Sequence, residues 1–276
     1  MEIIPLQAGA FRVDGGVMFG ATPKSTWSSF YEETSSNLIP LAMRCILIHT
    51  SDNHHILVDT GVGDKHIEDA TSYEWFQLKH VLDCLNEIHF SPDSITDVIL
   101  THLHFDHCGG CTQKNKQTGQ YNLCFPNARH WVSRSQWDNF QSPHPLEAES
   151  FYLDDMELVH KSGKLILIDK ETEICPNVSL SLFDGHTPGQ IAVFLLNKDQ
   201  TIIIPGDVIP MMPYVNPYII SAYDLSPLQS YDAKLKILEE AVNKHAKLYY
   251  YHDINTVSSF ITRDDKGTYS AVDLNQ

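Results

Sequence analysis

The sequence predicts an α/β sandwich, two mixed β-sheets laid face to face and flanked by helices, formed by a single domain of residues 1–276. Three observations predict it. Short apolar, β-branched runs alternate with stretches of helical periodicity along the chain. Four of those runs end in metal-ligand residue types: Val98-Ile99-Leu100 before His102, residues 178–183 before His186, Ile202-Ile203-Ile204 before Asp207, and residues 248–251 before His252. No linker or repeat divides the 276 residues, and at 42% hydrophobic and 20% charged they are enough for one large core.

Taken in order, Ile3-Ile4-Pro5-Leu6 and Phe11-Arg12-Val13 read as strands separated by a Gly-containing turn. Residues 15–37 are irregular and aromatic (Phe19, Trp27, Phe30, Tyr31), which suits either a pocket cover or a loop packed on the core. Residues 41–48 and 55–59 form a hairpin about Ser51-Asp52-Asn53, with His49, His54 and His55 exposed at its tip. Residues 75–88 place apolar side chains at three- and four-residue steps, an amphipathic helix with His80 and His89 on its wet side. Ser91-Pro92-Asp93-Ser94 breaks that helix before the strand at 98–100. Residues 113–121 are a polar loop, residues 129–132 a strand, and Ser133 the N-cap of the helix after it. Residues 147–160 are helical. Strand 178–183, a hairpin of 191–196 with 201–204, a helix with the stripe Leu228, Tyr231, Leu235, Leu238 and Val242, and a final strand at 248–251 complete the chain.

The charge balance, 19 Lys+Arg against 35 Asp+Glu for a net −16, lacks the basic footprint that nucleic acid or an anionic membrane requires. No apolar run reaches membrane-spanning length, and the first seven residues lack a basic segment leading into an apolar one. We therefore expect no secretory leader and a cytoplasmic setting. Cys45, Cys84, Cys108, Cys111, Cys124 and Cys175 are expected as reduced thiols, with Cys108 a small packing residue behind the site despite its C-x-x-C spacing to Cys111.

The chemistry concentrates in Thr101-His102-Leu103-His104-Phe105-Asp106-His107-Cys108-Gly109-Gly110. Alternate residues of an extended segment point the same way, so His102 and His104 can reach one ion together. After a bend, Asp106 and His107 can hold a second ion nearby, and Gly109-Gly110 permits the tight turn beneath.

This segment resembles the His-x-His-x-Asp-His signature of the metallo-β-lactamase superfamily. Asp184-Gly185-His186-Thr187-Pro188-Gly189-Gln190, Ile202-Ile203-Ile204-Pro205-Gly206-Asp207 and Tyr249-Tyr250-Tyr251-His252-Asp253 are similar to its later segments, in the right order. The resemblance implies the αββα fold and two divalent metal ions. His102, His104 and His186 would bind the first, Asp106, His107 and His252 the second, and Asp207 would bridge them. Imidazoles and carboxylates without thiolate suit Zn²⁺ first, with Fe²⁺, Mn²⁺ or Co²⁺ as alternatives. Asp59-Thr60-Gly61 is similar to the family's Asp-Thr-Gly turn, which makes Asp59 a brace for the ligand loop and not a ligand.

Within the superfamily, the wording of these segments, and of residues 206–224, is similar to the N-acyl-homoserine lactonase branch and its YtnP-like subgroup. That implies hydrolytic opening of a lactone or ester, with quorum quenching as the role, by a hydroxide shared between the metals. The catalytic residues would be Asp106, Asp207 and Tyr223. Lactonases of this kind carry a Tyr three residues after the bridging Asp, and here that position is Pro210; Tyr214 and Tyr223 are the alternatives for it. The expected partner is a small lactone or ester, with a homodimer left open. Rival readings are an organophosphate triesterase, a thioester hydrolase acting on glutathione conjugates, and a non-catalytic metal-binding protein.

Overall fold

A computed structural model describes residues 1–68, 73–115 and 117–272. The chain divides into two compact units, Met1–Phe11 with Ala42–Asp169, and Arg12–Leu41 with Lys170–Gln276. The described residues form two seven-stranded mixed sheets and a small hairpin.

The first half of the chain supplies β1 (Glu2–Asp14), β2 (Leu38–His49), β3 (His55–Val58), β4 (Glu74–Phe76), β5 (Asp97–Ile99), β6 (Thr112–Lys114), β7 (Tyr121–Leu123), β8 (Arg129–Ser133) and β9 (Leu165–Ile168). The first large sheet runs β4-β1-β2-β3-β5-β8-β9, and β6 pairs only with β7. Pairs β3/β5, β5/β8 and β8/β9 are parallel, so each needs a crossover, and short helices occupy these connections. The expected hairpin is present as β2/β3. Ser133 caps helix Arg134–Gln141 as expected, its hydroxyl accepting from the Gln136 amide at 3.0 Å.

Four expectations change here. The first two strands are one, because β1 continues through Gly9, whose φ of 127° bends it without ending it. The helix expected from Trp75 begins only at Val81, since aromatic Trp75 stays in edge strand β4, its ring 5.4 Å from that of Phe11. His80 is the cap of that helix, its Nδ1 accepting from the Leu82 amide at 3.1 Å, and is half-buried; His89 is exposed as expected. The histidines of the β2–β3 tip are also half-buried. His49 and His55 approach at 2.8 Å and pack on Phe90, while His54 bonds the buried Asp97.

The second sheet is made of β10 (Thr172–Cys175), β11 (Val178–Phe183), β12 (Gln190–Asn197), β13 (Gln200–Ile204), β14 (Lys247–Tyr249), β15 (Ser258–Arg263) and β16 (Tyr269–Val272), paired in that order. Every pair is antiparallel except β13/β14, whose parallel crossover is the helix Pro227–Asn243. The buried face of that helix is Ser230, Ala233, Lys234, Ile237, Leu238 and Ala241, and Leu228 is 81% exposed. The expected stripe is therefore displaced, because a lysine sits on the inner face. Lys234 Nζ donates to the Ile219 carbonyl and lies 4.3 Å from the Tyr214 ring centroid. Burial pushes its ammonium down to about 7. Strand β14 is not the last; β15 and β16 follow it, joined by a turn with Gly267 at φ 85°.

Residues 15–37 do both things considered for them. Phe19, Trp27 and Tyr31 are buried in the second unit, Phe19 stacking on Trp27 at 5.7 Å and lying 5.9 Å from Tyr214. Phe30, with Ala21 and Pro23, lines a cavity of about 560 Å³ shared with Met212 and Tyr218.

Candidate metal centre

Each unit carries one part of the expected ligand set, and each ligand follows a strand end. In the first unit, β5 leads to His102 and His104, and the one-turn helix Phe105–Cys108 carries Asp106 and His107. His102, His104 and His107 are at most 7% exposed. His102 Nε2 faces His104 Nδ1 at 3.1 Å, and His107 Nε2 faces Asp106 Oδ2 at 3.8 Å.

The far nitrogens are held by other groups. His104 Nε2 pairs with Glu147 Oε1 at 2.8 Å, and His107 Nδ1 with Asp59 Oδ2 at 2.9 Å. Thr101 Oγ1 lies 3.1 Å from His102 Nδ1. Asp59 also accepts from the Thr101 amide and hydroxyl, both at 2.8 Å, and is buried. Burial pushes its carboxyl above the usual range, opposed by His107 and Thr101. The turn beneath needs glycine: a Cβ on Gly109 would stand 2.2 Å from the Val62 carbonyl oxygen, and one on Gly110 2.2 Å from that of Thr60.

In the second unit, His186 follows β11, Asp207 lies in the 3₁₀ turn Gly206–Val208 after β13, and His252 follows β14. Asp207 Oδ2 sits 3.3 Å from His252 Nε2 and 3.6 Å from His186 Nε2. His186 Nδ1 is held by Asp224 Oδ1 at 3.0 Å. The His252 amide donates to the Pro210 carbonyl at 2.9 Å, so position 210 serves through its backbone.

Within each unit the inward-facing donor pairs are spaced as metal ligands are. Ligands around a tetrahedral ion at about 2.0–2.1 Å stand roughly 3.4 Å apart, and the inward-facing donor pairs lie at 3.1, 3.3, 3.6 and 3.8 Å. Three imidazoles have their other nitrogen bound to a carboxylate, which fixes the tautomer that presents a lone pair inward.

Asp59 matches its expected bracing part. Glu147 and Asp224 were not singled out from the sequence: they lie in loops 43 and 38 residues from the histidines they hold, with no local pattern to mark them. Of the two tyrosines considered in place of Pro210, Tyr214 is 1% exposed and its hydroxyl donates to the Met18 carbonyl. Tyr223 is 36% exposed and adjoins Asp224. All six cysteines are free and buried, and burial pushes the Cys108 and Cys111 thiols up, so both stay protonated. Among the described residues, no helix is long and apolar enough to cross a membrane.

Comparison with known proteins gives four further observations. The profile of the Metallo-beta-lactamase superfamily matches residues 40–252. An N-acyl homoserine lactonase of Bacillus thuringiensis is 25% identical over 244 residues, 82% of this chain and 87% of that protein. Among solved structures, a probable metal-dependent hydrolase from Staphylococcus aureus superposes with a TM-score of 0.86 at 27% identity, over 99% of this chain and 97% of its own. AidC, a dizinc quorum-quenching lactonase in complex with a product, superposes with a TM-score of 0.78 at 20% identity, over 98% and 93%.

Proposed function

This chain belongs to the metallo-β-lactamase superfamily, and from that premise we propose that it is a dinuclear metal-dependent hydrolase that opens a lactone, with an N-acyl-homoserine lactone as the first substrate to test. The observation that carries the reading is the threefold carboxylate–imidazole pairing by Asp59, Glu147 and Asp224, which prepares His107, His104 and His186 as ligands. The family match spans residues of both units, so we take them as one functional domain.

In this reading His102, His104 and His186 hold one ion, Asp106, His107 and His252 the other, and Asp207 both. Two ions, zinc ahead of iron, manganese or cobalt, would supply a nucleophilic water at neutral pH and an electrophile for the carbonyl oxygen. Asp207 Oδ2 already lies between two imidazole nitrogens, which suits a shared ligand. Asp106 Oδ2 lies 3.8 Å from His107 Nε2, and is the group to pass the proton of the attacking water to the departing alkoxide. Tyr223, exposed beside Asp224, is the tyrosine that would orient the substrate carbonyl.

The lactonase relative in Bacillus thuringiensis supports lactone over the rival esters. Parallel assays on an acyl-homoserine lactone, a paraoxon-type triester and a glutathione thioester decide it. Ring opening as the fastest reaction, lost on chelation and restored by zinc, is expected. Faster triester or thioester hydrolysis would replace the lactone reading with that activity, and no hydrolysis above buffer background would leave a metal-binding protein. We also place its work in a reducing compartment, on six free buried thiols.

A further inference from the structure

Asp253 is fully buried, and its carboxylate collects donors from three segments of the second unit. Its Oδ2 accepts from the Tyr31 hydroxyl at 2.6 Å and the Met212 amide at 2.8 Å, its Oδ1 from the amides of Asn255 at 2.9 Å and Thr256 at 2.7 Å. One residue earlier, the His252 amide holds the Pro210 carbonyl. The loop that carries Asp207 is thus stitched to the loop that carries His252 at two adjacent points, and Asp253 makes the second stitch. Tyr31 reaches the same oxygen as Met212 from the aromatic segment 15–37, with its ring 6.3 Å from Phe19. Burial and the Asp253 carboxylate hold its phenol far above the ordinary range, so it remains a donor.

We propose that Tyr31 and Asp253 form a positioning pair that sets the spacing of Asp207 and His252, making the segment 15–37 part of the metal-holding apparatus although it contributes no ligand. This rests on the two-metal reading of the site. Removing the phenol oxygen leaves the ring packed but gives Asp253 Oδ2 one partner fewer, so the carboxylate can rotate away from Met212 and the two ligand loops can part. Tyr214 is the matched control. It belongs to the same aromatic cluster and its hydroxyl is also bound, but to the Met18 carbonyl.

The test is competitive titration of the metal-free full chain with zinc against a chromogenic chelator, for wild type, Tyr31→Phe and Tyr214→Phe, with thermal unfolding of each metal-free protein alongside. The expected result is about tenfold weaker zinc binding in Tyr31→Phe, at the lower end of what loss of an outer hydrogen-bond partner does, with Tyr214→Phe at the wild-type value. Asp253→Asn, whose amide keeps one acceptor oxygen and puts a donor in place of the other, should weaken zinc at least as much as Tyr31→Phe. Equal affinity in Tyr31→Phe and wild type, or equal losses in the two tyrosine variants, would overturn the proposal while leaving the metal reading intact. A wild-type chain that takes up no zinc would remove both.

Discussion

The two parts of the candidate metal centre are built in opposite ways. In the first unit, the four expected ligands fall within six consecutive positions, beside one glycine turn packed against Thr60 and Val62. In the second, His186, Asp207 and His252 come from three strand ends, and what relates them is the sheet: β13 and β14 are parallel neighbours, so their following loops emerge on one edge. A local motif fixes its geometry through the turn, whereas a dispersed one depends on hydrogen bonds between loops. Both parts nevertheless use the same device, a buried or half-buried carboxylate gripping the outer nitrogen of an imidazole.

The largest expected effect is common to both parts. His104→Ala and His252→Ala should each bring hydrolysis down to the buffer background and lower metal content, with far-UV circular dichroism unchanged. Full activity in either variant would strike that histidine from the ligand set.

Acid should weaken the first unit. His130 on β8 is a fully buried imidazole whose pKa burial pushes down to about 4. The unfolded chain takes up that proton near pH 6.5, so the folded state binds fewer protons below it. The stability is present above pH 6.5 and is lost as pH falls toward 4, by about 3 kcal/mol in all. Urea unfolding of the metal-free protein from pH 7.5 to 4 should show this loss in wild type relative to His130→Leu. Parallel pH profiles for the two proteins would contradict it.

The shared device predicts a smaller, paired result. Glu147→Gln and Asp224→Asn should each weaken zinc binding by about 10–100-fold, the usual cost of losing a ligand's outer partner. An effect in only one of them would mean that the two parts are not braced alike. Smallest is Tyr223→Phe. Because Tyr223 is 36% exposed, its kcat/KM on a lactone should fall by about three- to tenfold, below the 10²–10³-fold of a buried oxyanion donor. An unchanged value would leave substrate orientation to other groups.

The same contrast explains what could be read from the sequence. Residues 102–107 were legible because strand periodicity and ligand spacing coincide over one short stretch. His186, Asp207 and His252 were legible only through the order of family segments, each at the end of an apolar run. Glu147, Asp224 and the distant donors to Asp253, Tyr31 and Met212, were not, because their partners are brought to them by tertiary folding across 38 or more residues. The inner face of helix Pro227–Asn243 was misplaced because Lys234 carries a charge, and a pattern of apolar residues cannot reveal a buried lysine bound to a carbonyl and an aromatic ring. Strands β15 and β16 were missed although Phe260, Ile261 and the Asp264-Asp265-Lys266-Gly267 turn mark a hairpin in hindsight.

The most direct test of the central claim is zinc content per chain measured on the same sample as lactone ring opening. Close to two ions per chain is expected, with activity that disappears and returns as they are removed and restored. Undiminished ring opening by a chain stripped of metal, or a chain that retains none after exposure to zinc, would contradict it.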